Sequence, residues 1–442
     1  MSKLNPWKAT LLLCCLSSAL VSAQAPRPTT APKPGNDKPI TTAEVEAMTA
    51  DVLKQTSELR GLKLLKPIKS GVKSRTDIEQ MVVKNFDEES TPAELDADYK
   101  MLLAFGLVPK GFQYREFLIK LLTEQIAGFY DPKKKELNLA DWNPLEAQRM
   151  VMAHELTHAL QDQHFDLLRF DKWPKGDSDR EAAIHALIEG DATALMMDYL
   201  MKPMGRSVTQ LPKSILDQMN SQTGAPGMDV MNSAPNAIRE GLMFSYTYGL
   251  GFVYRLLKDK GWEGVSKAYT DLPQSCEQIL HYEKYAAREM PIKIELADAT
   301  SVLGKGWKRI KFDVNGEFGY YLTLAEYLTK DTARKASEGW GGDQFALYEN
   351  ATKTNTTLVH LSAWDMDKDA EEFFHAYAER TAKRYPQVKA NSLPNQFVYA
   401  TPDGVTMIEL RGKQVLVLEG AAAASVKALA AKGWESKIVS SQ

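Results

Sequence analysis

His154-Glu155-Leu156-Thr157-His158 decides the reading of this chain. It lies in a stretch whose apolar residues Met150, Val151, Ala153, Leu156 and Leu160 mark a largely buried helix. Two histidines four residues apart on a helix sit about 40° apart around its axis and one turn along it, so both imidazoles reach a single ion at ~2.0–2.1 Å. Glu155 points beside that pincer, where it can take a proton from a water held by the ion. A chance helix with exposed His and Glu explains the pattern poorly in a chain with 7 histidines. A purely structural ion site would have no use for Glu155.

A catalytic zinc takes three protein ligands and keeps one position for water. Two residues compete for the third place. His164 follows His158 by six residues, but Gln161 stands where a glycine would be needed to turn the chain between them. If the helix continues, His164 points to the opposite side. Glu189, in Leu187-Ile188-Glu189-Gly190-Asp191-Ala192, resembles the glutamate of gluzincins, in which a Glu-Gly-x-Ala stretch on a following helix supplies the third ligand. Its apolar flanks argue against a surface carboxylate, because a buried charge needs a partner. The reading therefore favours His154, His158 and Glu189 around one zinc ion, with Asp162 or His185 orienting a ligand.

Outward from this centre, a helix is expected from about Ser178 to Met201, and a hairpin over 126–141 with its turn at Asp131-Pro132-Lys133. Helices are expected at 41–58, 76–85, 92–105 and 114–126, wrapping the catalytic unit, although the same region has the alternative reading of a propeptide. Further helices fall at 236–258 and 317–334. Strands at 398–400, 405–410 and 414–418, joined by Pro402-Asp403-Gly404 and Gly412-Lys413, precede an alanine-rich helix.

At the amino end, Lys3 and Lys8 precede an apolar run from Ala9 to Val21 and a small-residue site at Val21-Ser22-Ala23, the pattern of a secretory signal over 1–23. The run is shorter than the ~20 residues that span a bilayer, so no membrane anchor is expected in the mature chain. Residues 24–40, rich in Pro, Thr and Lys, read as a solvated linker. Without Lys3, Lys8, Cys14 and Cys15 the chain has 52 basic against 57 acidic residues and one thiol, Cys276. An internal disulfide is then impossible, and no basic footprint for nucleic acid is present. The expected location is periplasmic or extracellular.

These residues resemble a family of exported bacterial HExxH proteins within the gluzincin-like metallopeptidases, over most of the mature chain. The patches are Ile126 to Pro132, His154 to Asp162, Leu187 to Ala192, Tyr246 with Gly249 and Phe252, Glu277 to His281 through Tyr285, and Gly339 to Asp343. The resemblance implies a zincin-type fold, and with the pattern turning mixed after Gly339-Trp340-Gly341-Gly342 the expectation is an α+β, zincin-like domain, mainly helical with a small sheet, over 41–337 and a mixed α/β module over 338–442. It implies an edge strand at 136–140 that pairs with extended substrate. It also implies hydrolysis of peptide bonds in a peptide or protein substrate, with Glu155 as base and then acid. For the oxyanion donor Tyr246 and His281 come first, ahead of Tyr248 and Tyr285; Tyr282, where a proline often follows the histidine, counts against His281. The alternatives are an inactive zincin fold that binds peptide or a partner protein, and a zinc hydrolase of another amide.

Overall fold

Val45, Met48, Val52 and Leu53 recur at helical spacing and are buried along one side of helix α1 (Thr42–Arg60), which lies behind the histidine-bearing helix. The computed structural model describes residues 42–172, 175–212 and 228–439. The signal sequence and linker expected over 1–40 lie outside these residues. After α1 come strand β1 (Lys69–Lys73) and helices α2 (Arg75–Glu89), α3 (Pro92–Ala104) and α4 (Tyr114–Gln125). Ser74 and Thr91 open α2 and α3 with reciprocal caps to Asp77 and Glu94.

The hairpin follows as β2 (Gly128–Asp131) and β3 (Glu136–Ala140). Strand β3 is not an edge: it is the middle of a sheet ordered β1-β3-β2, parallel to β1 and antiparallel to β2. The expectation of a free edge at 136–140 is therefore corrected. The cause is β1, a Lys-Ser-Gly-Val-Lys stretch with a single large apolar residue and no alternation to announce a strand. It is β2 that lies over the histidine helix, where Gly128 packs so closely that an added Cβ would come 3.0 Å from Val151.

Helices α5 (Arg149–Phe165) and α6 (Ser178–Met201) carry the motifs, followed by α7 (Asp229–Ser233) and α8 (Asn236–Ala268). Helix α8 outruns its expected end by folding sharply at Gly261, where φ is +61°. Shorter pieces follow: α9 (Cys276–Leu280), α10 (Tyr282–Ala287), β4 (Lys293–Glu295), α11 (Thr300–Leu303) and β5 (Lys308–Asp313). The single helix expected over 317–334 is two, α12 (Gly316–Ala325) and α13 (Lys330–Ser337), because the Thr329 hydroxyl accepts from Thr332 N–H and starts the second.

The remaining elements are β6 (Trp340–Glu349), β7 (Thr356–Trp364), α14 (Asp367–Arg384), β8 (Asn391–Leu393), β9 (Gln396–Thr401), β10 (Gly404–Arg411), β11 (Gln414–Ala421), α15 (Val426–Gly433) and β12 (Lys437–Val439). Seven strands form one antiparallel sheet, ordered β5-β6-β7-β11-β10-β9-β8, and β5 lies upstream of residue 338. Alternation assigns its faces. Phe345, Leu347, Val415 and Val417 join the large core that also holds α6 and α8, while Ala346, Tyr348, Leu416 and Leu418 form a second core with Leu429 of α15.

Candidate metal centre

Helix α5 is buried on every side from Val151 to Asp162, and only its two ends reach solvent. His154 and His158 stand one turn apart and project toward α6, where Glu189 faces them. The His154 Nε2 to His158 Nε2 separation is 3.0 Å, and Glu189 Oε2 lies 3.1 Å from the first and 3.5 Å from the second. A regular tetrahedron with bonds of ~2.0–2.1 Å has edges of about 3.3 Å. The triangle thus has the size of one face of a zinc coordination shell, and its chemistry, two imidazoles and a carboxylate, fits the ion.

The tautomer of His158 follows from its partners. Gln161 Nε2 donates to the Ile188 carbonyl at 3.0 Å, which turns its Oε1 to His158 Nδ1 at 2.8 Å. An amide oxygen only accepts, so His158 carries its proton on Nδ1 and presents a lone pair from Nε2. Burial pushes the His154 imidazole down, toward the neutral form that a metal needs. Burial acts to raise Glu189, but the two imidazoles facing it, His158 first, outweigh that and hold the carboxyl at about 2.

Glu155 is fully buried beside this triangle. Its Oε2 accepts from Tyr130 N–H of β2 at 2.9 Å, while Oε1 has no hydrogen-bond partner. Burial pushes its carboxyl well above the usual carboxylate range. The group therefore holds a proton readily and has one oxygen uncommitted, as a general acid and base requires.

The other expected residues divide. Tyr246, buried on α8, lies against the cluster, its ring stacked on His154 at 6.2 Å between centroids. His281 does not come with it: its Nε2 pairs with Glu317 at 2.8 Å, and Glu277 and Glu283 also face it. Tyr248 packs among Phe244 and Phe318, and the Tyr285 hydroxyl donates to the Asp271 carbonyl. His164 ends on the far side of α5, with its Nε2–H donating to the Lys63 carbonyl at 2.7 Å, because the helix runs through Gln161 without turning. Asp162 orients no histidine; it accepts from the Tyr130 hydroxyl and Lys135 and pins the hairpin to α5. His185 is buried one turn before Glu189.

The roles of three residues escaped sequence reasoning. Gln161 was read only as a missing glycine, although its place three residues after a ligand histidine puts it on the same helix face. Gly190 and Gly249 let α6 and α8 touch backbone to backbone: a Cβ on either would lie 2.2 Å from a carbonyl oxygen, that of Gly249 or of Ala186. That close approach sets Tyr246 beside the ligands.

With this geometry in place, the comparisons with known proteins divide the chain. Residues 115–201 match the IrrE N-terminal-like domain of peptidase family M78. The match runs from α4 to the end of α6 and so contains β2, β3 and every candidate ligand. This segment is metallopeptidase-like. Residues 305–430 match a domain of unknown function, DUF8575. A solved structure of a candidate hydrolase with a novel fold, from Chloroflexus aurantiacus, is similar at 15% identity and a TM-score of 0.33, over 64% of this chain and 96% of that one. No curated protein matches the chain.

Proposed function

We propose that this chain is an exported zinc metallopeptidase of gluzincin type, acting on peptide or protein substrates in the periplasm or outside the cell. The observation that carries the reading is the triangle of His154, His158 and Glu189 with the uncommitted oxygen of Glu155 beside it. The peptidase-family match over the same residues supports it. No described helix is long and apolar enough to cross a membrane.

His154 Nε2, His158 Nε2 and a Glu189 oxygen would hold one zinc ion. When bound, zinc supplies a Lewis acid and makes water acidic enough to ionise near neutral pH. Glu155 Oε1 takes the proton of the attacking water and returns it to the leaving amine. Of the residues weighed as donor to the developing oxyanion, Tyr246 is the one whose ring lies against a ligand histidine, and it is assigned that role here. Because Glu155 and both histidines are wholly buried, substrate reaches them only when a covering element moves aside.

The test is cleavage of an unfolded-protein peptide library by the zinc-loaded chain starting at Gln24, beside Glu155→Gln at matched metal content. Cleavage by the first and not the second is expected. Equal rates at equal metal, or no cleavage by either, would overturn the reading in favour of a binding protein built on the same fold.

A further inference from the structure

We propose that a cavity between the amino-terminal halves of α6 and α8 binds a primary ammonium carried on a short apolar stem, with Asp179 as its counter-ion. The cavity measures about 80 Å³ and is walled by Leu118, Ile238, Leu242 and Phe318, with Asp179 and Tyr114 among its lining. A cavity of ~150 Å³ takes benzene, so this one suits a stem of about three to four carbons.

Asp179 is 4% exposed, and its carboxyl is only half satisfied. Its Oδ2 accepts from Cys276 N–H at 3.1 Å, but Oδ1 has no partner, and neither has the buried Tyr114 hydroxyl. Buried polar atoms cost stability unless something bonds them. Two of the other carboxylates close by are already satisfied. Asp313 accepts from Ser178 N–H and Val314 N–H, and Asp343 from the N–H groups of Asn315 and Gly316 and the Trp340 indole. Burial, and after it the charges of Asp177 and Asp343, push the Asp179 carboxyl well above the usual carboxylate range, a penalty that a cation beside Oδ1 would offset, and the nearby Lys311 is taken by Asp98 at 2.6 Å. An anion is disfavoured in such a field, a neutral alcohol gains a hydrogen bond alone, and an ammonium gains a hydrogen bond and a charge.

Helical register ties this cavity to the metal centre. Ala182, which lines it, precedes Glu189 by seven residues, about 20° around α6 and roughly 10 Å along it. Leu242 precedes Tyr246 by four residues, about 6 Å along α8. A lysyl side chain of a bound polypeptide and a free alkylamine both have the required chemistry; the first source rests on the peptidase reading, the second does not.

Calorimetry on the zinc-loaded Glu155→Gln chain, with n-butylamine, n-butanol and butyrate, tests the site without any turnover. Butylamine is expected to bind about tenfold or more tighter than butanol, from a hydrogen bond to a charged partner. Asp179→Asn should abolish that preference. Cleavage by the wild-type chain separates the sources: a lysine preference near the scissile bond, lost on lysine acetylation and inhibited by butylamine, identifies substrate, whereas butylamine binding that leaves cleavage unchanged identifies a free amine. Equal binding of butylamine and butanol to the chain with native Asp179 overturns the proposal, whether or not Asp179→Asn folds and whether or not peptides are cleaved.

Discussion

Gln161 joins the two motif helices through one amide, bonding His158 on its own helix and the carbonyl of Ile188, the residue before Glu189, on the other. Outer partners of ligand histidines typically change metal affinity about 10–100-fold when removed. Gln161→Leu is therefore expected to weaken zinc binding by that factor in a chelator competition; unchanged affinity would show that the amide only fills space. His154, Glu155 and His158 were legible because their spacing alone dictates convergence, and the same arithmetic turned His164 away, whereas Glu189 was legible through its resemblance to the gluzincin glutamate and its apolar flanks. Gln161 and Asp162 were not, because their roles depend on partners brought in by the fold: Ile188 in one case, Tyr130 and Lys135 in the other. His281 misled because a histidine at the end of a short helix carries no sign that Glu317 will claim it.

The helices that build the site were readable from apolar spacing, and α6 runs over the residues expected of it. Their crossing was not. Gly249 gives α8 a bare surface on which the Ala186 carbonyl rests, and Gly190 does the same for α6. Gly249→Ala is expected to cost about 1–3 kcal/mol, the usual penalty of overpacking, read as a lower midpoint in denaturant. An unchanged midpoint would mean that the two helices slide apart without loss. Among the strands, β9 to β11 were visible through alternation and their turns, whereas β1 became a strand only because β3 offers it a parallel partner. Its pairing turns a supposed edge into the middle of a sheet and leaves β2 as the strand over Glu155.

At the scale of the whole molecule, segments far apart in sequence brace the centre from both ends. Arg60 of α1 holds Asp191, two residues after Glu189, with bonds of 2.7 and 3.0 Å, and the Tyr269 hydroxyl meets the same carboxylate at 2.9 Å. Val45, Met48 and Val52 pack with Met152, Leu156 and Leu160 on the back of α5, so α1 belongs to the core behind the site. From the other end, Arg384 of α14 caps the last carbonyls of α3 at 2.7 and 2.9 Å, and Arg380 reaches Phe105 beside it while pairing with Glu419 of β11. Composition could not show this: local patterns name elements, not the distant residues that weld them. An ion bound only by the folded chain adds to this bracing by mass action. The most direct test is the zinc content of the chain starting at Gln24, measured by native mass spectrometry beside Glu189→Ala and His164→Ala. One zinc per chain is predicted for the wild type and for His164→Ala, with loss in Glu189→Ala; full occupancy in Glu189→Ala together with loss in His164→Ala would contradict the centre described here.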